Sequence, residues 1–255
     1  MIFVNFPLAR RIEAVEAALA RSMAREVLEV AGGVAAFVSP ESPLSHALGL
    51  GMNGPLDGVG LNRIEDFYRS RGAPVTIELC PMADQSVPDL VTSRGYGITE
   101  FANLLLRRIQ ESAEVPQSTV HVFEAEEQDC ESWAEVAARG FFGREPAGES
   151  ELEIGRSIFR AASVRAWFAE LDGQRAGVGA SAIIDGVASL FADSTLPAFR
   201  CRGVQLSLIR ARLAAARSQG ADFAIASTAP GSVSQRNYQR CGFEPAYTRP
   251  TFQAA

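Results

Sequence analysis

Apolar residues recur every three to four positions over residues 10–30, which predicts an amphipathic helix. The residues on its apolar face are Ile12, Val15, Leu19, Met23 and Val27. Short segments that alternate apolar and polar residues, or that are rich in β-branched residues, predict strands over 33–38, 118–125, 164–171, 176–184 and 187–193. Two more helices are predicted over 127–140 and 149–161, and 43–57 is an irregular stretch rich in glycine and proline.

The chain also contains an internal repeat. Residues 58–79 and 203–227 each begin Gly-Val-x-Leu, continue as an amphipathic helix and end in an alternating strand. Each helix is expected to end at a glycine followed by alanine, Gly72 in the first copy and Gly220 in the second. Further along the chain, the segment with Gly95 corresponds to the segment with Gly242, at nearly the same distance from the helix.

The repeat predicts two related domains. We place the first at residues 1–112 and the second at 118–255, joined by an acidic, proline-containing linker over 110–117. In the second half the predicted element order is β-α-α-β-β-β-α-β-α-β, which is a mixed α/β arrangement. Each domain is expected to contain a central mixed, mostly antiparallel sheet that is flanked by helices.

Composition and charge narrow the class of function. The net charge of -6 argues against a general binder of nucleic acid or of anionic membranes. All 24 basic residues are arginine, which excludes a lysine Schiff base and a Walker-type lysine. The four cysteines and two histidines show no spacing typical of zinc or redox sites. With too short an apolar run at the N-terminus for a signal peptide or membrane span, a reduced cytoplasmic protein is expected.

A short turn in the second half is the most informative segment for function. The strand predicted from residue 187 leads into a turn with Arg200, Arg202 and Gly203, and a helix opens directly after it. Unpaired N–H groups and the helix dipole favour a phosphate at a helix N-terminus, and Gly203 allows the backbone to come close. The segment is therefore either a phosphate site or a plain strand-to-helix turn with two solvated arginines.

The segments that follow the turn carry a resemblance to a known family. After the next strand comes a short helix with Tyr238, and then Gly242 and Phe243. Together with the Arg-x-x-Gly turn at Arg200 to Gly203, this order resembles the GNAT superfamily of acetyl-CoA-dependent N-acyltransferases. The resemblance covers about residues 118–250. It implies two GNAT-like domains of mixed α+β fold, with the acyl-CoA site in the second.

The resemblance implies a site for acetyl-CoA as a cosubstrate. The pyrophosphate is expected on the turn amides from Arg202 to Leu206, and the pantetheine arm along the strand from Ala192 to Thr195. Tyr238 is expected to protonate the departing thiolate as a general acid. The implied cofactor-binding residues are Ala192, Asp193, Ser194, Thr195, Arg200, Cys201, Arg202, Gly203, Val204, Gln205, Leu206 and Asn237.

Some roles within this site stay open on the sequence. Tyr238 is either the acid or a half-buried tyrosine that bonds to backbone. Gln205 departs from the family pattern, which has a small residue there, so its side chain either obstructs the pyrophosphate or points outward along the helix. Asp193 and Glu170 are candidates for the general base by position alone, and solvated carboxylates otherwise.

The predicted function is transfer of an acetyl group from acetyl-CoA to a primary amine, by direct attack of the amine on the thioester. The acceptor is expected to be a small molecule or a peptide, and we expect no metal, nucleic acid or membrane partner. The oligomeric state stays open. The alternatives are a non-catalytic protein that binds or senses acyl-CoA, and a structural module whose CoA site has been lost.

The first copy lacks the residues on which this chemistry depends. Pro55 stands in place of Arg200, and Val91 in place of Tyr238. Asp57 beside the helix start would repel a phosphate. We therefore expect a degenerate copy without acyl-CoA chemistry, which shapes the substrate cleft or stabilises the second domain.

The first half also contains a match to the dinucleotide fingerprint Gly-x-Gly-x-x-Gly at residues 49–54. That fingerprint requires a strand immediately before it and a helix that opens within it. Neither is evident here, since Pro55 follows the last glycine. A glycine-rich loop is therefore favoured over nicotinamide or flavin binding.

Overall fold

The computed structural model describes residues 3–109 and 118–254, so the predicted linker at 110–117 lies outside the described residues. The helices are α1 (Phe6–Met23), α2 (Gly58–Arg69), α3 (Ser86–Ser93), α4 (Cys130–Phe142), α5 (Glu149–Phe159), α6 (Val204–Ser218) and α7 (Val233–Arg240). The strands are β1 (Glu26–Val30), β2 (Gly33–Phe37), β3 (Ala47–Leu48), β4 (Thr76–Glu78), β5 (Gly97–Arg108), β6 (His121–Glu124), β7 (Val164–Leu171), β8 (Gln174–Ile184), β9 (Val187–Thr195), β10 (Phe223–Thr228) and β11 (Glu244–Gln253). None of the described helices is long and apolar enough to cross a membrane.

The chain forms two compact units. Unit 1 comprises Met1–Leu104, Thr228–Pro230 and Pro245–Ala255, and unit 2 comprises Leu105–Ser227 and Gly231–Glu244. This division differs from the predicted domains at 1–112 and 118–255, because nearly all of β11 belongs to unit 1 and the end of β5 belongs to unit 2.

The cores of the two units show why the strands are assigned in this way. Phe252 of β11 packs into the buried cluster of unit 1, together with Ile64 of α2 and Ile77 of β4. Leu105 of β5 packs into a buried cluster of unit 2, together with Ile209 of α6. Unit 1 therefore completes its core with β11, which the repeat pattern assigns to the second copy, and unit 2 uses the end of β5, which the pattern assigns to the first.

Unit 1 contains a mixed sheet with the strand order β1-β2-β3-β4-β11. Neighbouring strands are antiparallel except for the parallel pair β3–β4. Tyr68 of α2 is fully buried and its hydroxyl donates to the carbonyl of Ala36 at 3.0 Å, which ties the helix to β2. On α1, Ala17 and Ala20 pack against Val34 and Leu48 of the strands.

In unit 2 the strands have the order β10-β9-β8-β7-β6, with the end of β5 beside β10. The pair β9–β10 is parallel, and β6 to β9 are antiparallel to their neighbours. Trp133 of α4 is fully buried and its indole N–H donates to the carbonyl of Trp167 at 3.1 Å. The mixed, mostly antiparallel sheets flanked by helices confirm the predicted fold class.

The predicted repeat appears as identical helix ends. The N–H of Ala73 donates to the Tyr68 carbonyl at 3.1 Å, and the N–H of Ala221 donates to the Ala216 carbonyl at 3.1 Å. In both copies the preceding glycine has a left-handed backbone, with φ of +67° at Gly72 and +73° at Gly220. These are the bonds and the backbone of a Schellman stop.

The same stop recurs at the second pair of matched glycines. The N–H of Tyr96 donates to the Val91 carbonyl at 3.0 Å, and the N–H of Phe243 donates to the Tyr238 carbonyl at 3.2 Å. Val91 of α3 and Tyr238 of α7 therefore occupy the same position of the motif, as the sequence comparison predicts.

Two predicted elements differ from the structure. The helix predicted over 10–30 ends at Met23, and the residues that follow form β1. Positive φ at Ala31 and Gly32 makes a tight turn into β2, so the alternation in Glu26–Val30 reflects a hairpin strand and not a helix face. Val27 is accordingly exposed. The irregular stretch 43–57 contains the short strand β3.

Candidate functional site

The N-terminus of α6 is open to a ligand. Gly203 occupies the N-cap position with φ of +83°, and none of the described side chains caps the helix. An α-helix leaves the N–H groups of its first turn without partners inside the helix. Since that turn contains no acidic residue, its backbone donors and the helix dipole together favour an anion.

The equivalent helix of unit 1, α2, is closed by a side chain. Asp57 is its N-cap residue, and the carboxylate accepts a hydrogen bond from the N–H of Gly60 at 2.7 Å. The negative charge therefore lies at the helix end where unit 2 presents backbone donors. This geometry agrees with the prediction that Asp57 would repel a phosphate.

Next to the α6 N-terminus, β9 continues beyond its pairing with β10. The parallel register joins Val187–Ser189 to Phe223–Ile225, whereas β9 extends to Thr195. On its other side β9 forms a bulge, because Ala192 and Asp193 together face the single residue Gly179 of β8. Ala192 has φ of +54° in this bulge. The later part of β9 thus offers a strand edge to a ligand.

A cavity of about 580 Å³ joins these two features of unit 2. A volume of this size is in the range of small-molecule and cofactor sites. Its lining residues are Gly140, Phe141, Asp193, Ser194, Thr195, Phe199, Arg200, Cys201, Gly203, Val204, Gln205, Leu206, Val233, Ser234, Asn237 and Arg240.

The two arginines of the turn take different positions. Arg200 lines the cavity, and its guanidinium donates to the carbonyls of Gly140 at 2.9 Å and Thr195 at 3.3 Å. Arg202 is outside the lining and pairs with Asp172 at 2.6 Å on the surface. Arg200 therefore supplies the positive charge at this end of the cavity, and Arg240 of α7 supplies a second one.

The side chain of Gln205 lies in the cavity wall and not outward along the helix. Its amide nitrogen donates to the Ser234 hydroxyl at 2.9 Å, and its amide oxygen accepts from the Asn237 side chain at 2.8 Å. Gln205 therefore bridges the start of α6 to α7. The bridge leaves the backbone N–H groups of the first turn of α6 uncapped.

Tyr238 is buried beside the cavity and does not line it. The side chain belongs to a buried cluster of unit 2, and the residue is 2% exposed. Its hydroxyl donates to the Asp193 carboxylate and to the Leu190 carbonyl, the latter at 3.3 Å. Burial, followed by the negative charge of Asp193, raises the pKa of the Tyr238 hydroxyl well above its ordinary value.

Asp193 also forms an ion pair with Arg212 of α6, whose side chain is fully buried. Burial lowers the pKa of Arg212, but the charges and hydrogen bonds of Asp193 and Tyr238 together raise it by more, so the net shift is upward. The carboxylate of Asp193 is thus held between a guanidinium and a phenol. The second predicted base, Glu170 on β7, is outside the cavity lining and lies 4.0 Å from Arg175.

Comparison with known proteins agrees with this geometry. Residues 124–243 match the model of the acetyltransferase (GNAT) family. The match covers just under half of the chain and lies almost entirely within its second half. The matched range runs from the end of β6 to Phe243 and thus includes the open α6 N-terminus and the bulge on β9. The matched family is one of acetyltransferases.

Solved structures extend the likeness to the whole chain. A GCN5-related N-acetyltransferase from Kribbella flavida is similar with a TM-score of 0.69 and 21% identity, over 97% of this chain and 95% of that one. A tandem GNAT protein from the clavulanic acid biosynthesis pathway is similar with a TM-score of 0.59 and 13% identity, over 88% of this chain and 77% of that one. At these identities the likeness concerns the fold. No curated protein sequence matches the chain.

Most of the predicted GNAT cofactor residues line the cavity. The exceptions are Ala192, which forms the bulge, and Arg202, which pairs on the surface. The two adjacent phenylalanines Phe141 and Phe142 at the end of α4 were a sequence signal for the part of the lining that α4 provides. In the structure Phe141 is 70% exposed. The lining residues that sequence reasoning missed are Gly140, Phe141, Phe199, Val233, Ser234 and Arg240.

The remaining motifs add no second site. In the first half a short strand, β3, does precede the glycines at 49–54, but α2 begins only at Gly58. The dinucleotide fingerprint therefore lacks its helix. Within residues 3–109 and 118–254, no group of three or more His, Cys, Asp and Glu side chains is arranged to hold a metal ion.

Proposed function

We propose that unit 2 binds acetyl-CoA in the 580 Å³ cavity. The diphosphate lies on the backbone N–H groups at the start of α6, with Arg200 beside it, and the pantetheine arm follows β9 from Asp193 to Thr195. The observation that carries this proposal is the uncapped N-terminus of α6, which opens into the cavity, whereas Asp57 caps the equivalent α2.

We further propose that the acetyl group passes directly to a primary amine. The amine nitrogen forms a bond to the thioester carbonyl carbon, the C–S bond breaks, the nitrogen loses its proton to solvent and the departing thiolate gains a proton. Tyr238 is proposed as the source of the thiolate proton. In the structure its hydroxyl donates to Asp193, so this role requires the hydroxyl to turn from Asp193 toward the sulfur.

The acceptor is proposed to be an amine of a small molecule or a peptide. Three acidic residues before and within α4, Asp129, Glu131 and Glu135, pair with arginines. Glu131 accepts from Arg156 at 3.0 Å, and Asp129 pairs with Arg175 at 3.0 Å. This neutralisation is typical of a solvated helix start, so these carboxylates do not single out a cationic acceptor.

Thermal unfolding with acetyl-CoA tests the binding step. A ligand at about 100 times its dissociation constant adds about 2.7 kcal/mol, which raises Tm by about 5–10 °C for a chain of this length. Arg200→Ala should weaken binding about 10- to 100-fold, because it removes a charged donor from the cavity. The matched control is Arg63→Ala on the exposed side of α2, which should bind as the wild type does. An unmoved Tm of the wild type removes the proposed site.

Release of free CoA thiol in the presence of a panel of amines tests the transfer step. Tyr238→Phe should slow thiol release and leave the dissociation constant of acetyl-CoA unchanged if the tyrosine is the acid. Equal losses of binding and of turnover would argue against that role. A wild-type protein that binds acetyl-CoA and releases no thiol with any amine would instead be an acyl-CoA-binding protein.

A further inference from the structure

The buried guanidinium of Arg212 makes a contact with every one of its nitrogen atoms. Nε donates to the Leu208 carbonyl at 3.1 Å, within α6. Nη1 donates to the carbonyls of Ala180 on β8 at 2.8 Å and Phe191 on β9 at 3.2 Å, which form the strand pair next to the bulge. Nη2 donates to the carboxylate of Asp193. A side chain on one helix therefore holds both strands of the bulge.

Gly179 provides the space for this contact. A Cβ at that position would lie 2.8 Å from Nη1 and 2.9 Å from Cζ of Arg212, and 3.1 Å from Oδ1 of Asp193. Carbon at such distances overlaps the guanidinium, which is fully buried and has no room to withdraw. The single residue opposite the bulge is thus a glycine because the arginine occupies the place of its side chain.

The segment of β9 that Arg212 holds is the one that borders the cavity. Phe191 and Asp193 follow the last residue of β9 that pairs with β10, Ser189. Without that pairing, the carbonyls and N–H groups on this edge depend on other contacts for their position. Asp193 itself lines the cavity, and so do the two residues after it. The diphosphate end of the cavity, at Gly203 to Leu206, makes no contact with the guanidinium among those described.

We propose that Arg212 is a positioning residue for the acyl end of acetyl-CoA. Through Phe191, Ala180 and Asp193 it fixes the bulge on β9 in the conformation that binds the pantetheine and thioester, and it leaves the diphosphate end of the cavity unaffected. This inference rests on the proposed function. It means that a residue outside the cavity affects the binding of the pantetheine and thioester but not the binding of the diphosphate.

Two ligands that share the same phosphate end separate this role from a general loss of structure. 3′-Phosphoadenosine 5′-diphosphate lacks the pantetheine and thioester, and acetyl-CoA contains them. In Gly179→Ala the new methyl group overlaps the guanidinium, so the contacts between Arg212 and the bulge cannot all be kept, and we expect acetyl-CoA to bind about tenfold more weakly, equivalent to ~1.4 kcal/mol. The affinity for 3′-phosphoadenosine 5′-diphosphate should stay within about twofold. Both dissociation constants are measured by titration calorimetry.

Arg212→Lys is the second variant, because a lysine keeps the charge but loses the planar fork that reaches several acceptors. As in Gly179→Ala, the affinity for acetyl-CoA should fall relative to the affinity for the nucleotide that lacks the pantetheine. Gly97→Ala is the matched control, since a Cβ at Gly97 meets nothing within 4 Å. This control should bind both ligands as the wild type does.

The outcomes distinguish the two proposals. If the wild type binds both ligands and neither variant changes the ratio of affinities, the positioning role of Arg212 is wrong and the proposed site stands. If both affinities fall together, Arg212 acts on the fold as a whole and the inference is also wrong. If the wild type binds neither ligand, the proposed function fails, and the role of Arg212 fails with it.

Discussion

The buried ion cluster around Arg249 in unit 1 allows a quantitative prediction. Arg249 on β11 is 1% exposed, and its Nε donates to Glu13 of α1 at 3.0 Å. Its Nη1 also donates to Glu16 at 3.2 Å and to Glu78 at 3.4 Å. Glu13 is likewise 1% exposed and accepts a further bond from the Tyr247 hydroxyl at 2.7 Å. One guanidinium thus compensates three carboxylates.

Arg249→Met removes this guanidinium and keeps the volume of the side chain. Removing one partner of a buried ion pair costs about 3–5 kcal/mol, because the other charge stays buried without compensation. That cost is a large part of the ~5–15 kcal/mol that stabilises a typical protein. Removing one partner of an exposed pair costs about 0–1 kcal/mol. Arg21→Met, which breaks the exposed pair of Arg21 with Glu29 in the same unit, is therefore the matched control.

The loss should depend on pH. Burial raises the pKa of Glu13 even though Arg249 lowers it. A raised pKa in the folded state stabilises the fold at low pH, and this contribution is lost as the pH rises through that pKa. Without Arg249 the pKa of Glu13 rises further. The destabilisation should therefore be larger at neutral and alkaline pH than at acidic pH, where protonation removes the charge of Glu13.

Urea unfolding followed by circular dichroism measures the effect. Tryptophan fluorescence is not suitable, because both tryptophans, Trp133 and Trp167, lie in unit 2 and do not report on unit 1. Adding Glu13→Gln to Arg249→Met should restore part of the lost free energy, since the uncompensated charge is gone and Tyr247 keeps an acceptor. A cost below about 1 kcal/mol for Arg249→Met, or a double variant no more stable than the single one, would refute the reasoning.

Three further predictions concern stability. Burial raises the pKa of all four tyrosines. The stability that is present below their unfolded pKa is therefore lost as the pH rises above about 10, by up to ~1.4 kcal/mol per pH unit for each tyrosine. Loss of stability in urea and phenolate absorbance should appear together, and phenolate in the folded protein would contradict this. Cys201→Gly should stabilise the fold by about 0.5–1 kcal/mol, because Cys201 is exposed and has φ of +62°; a lower midpoint in urea would count against it. Gly155→Ala should destabilise the fold by about 1–3 kcal/mol, because its Cβ would lie 2.8 Å from Cα of Ala134 on α4. The control Gly97→Ala should not destabilise it by this amount, and equal urea midpoints for the two variants would exclude this close packing.

Local signals in the sequence were sufficient for much of the fold and the site. The glycine stops at Gly72 and Gly220 depend only on neighbouring residues, because a helix end needs a left-handed residue and two backbone bonds. The open N-terminus of α6 was predictable for the same reason, since Gly203 offers no capping side chain. The contrast with Asp57, which caps α2, follows from one residue. These features concern a few consecutive residues, and their physics is local.

The sequence was less informative where the spacing of apolar residues fits both a helix and a strand. Residues 24–30 continue an apolar pattern that fits a helix, and only the turn at Ala31 and Gly32 shows that they pair with β2 as a strand. Likewise, Gln205 has two possible directions on a helix. Its direction was decided by two hydrogen bonds to α7: Ser234 accepts one from the side-chain amide nitrogen, and Asn237 donates one to the side-chain amide oxygen.

By itself the sequence determined the repeat, the GNAT pattern of the second copy and the absence of a phosphate arginine in the first. The tertiary structure alone decided which unit receives β11, because that depends on whether Phe252 and Arg249 find their partners in one core or the other. It also decided that Asp193 lies between Arg212 and Tyr238, residues from two different helices. Such contacts join positions far apart in the chain, and the free energy that selects them comes from burial and charge compensation in the folded core.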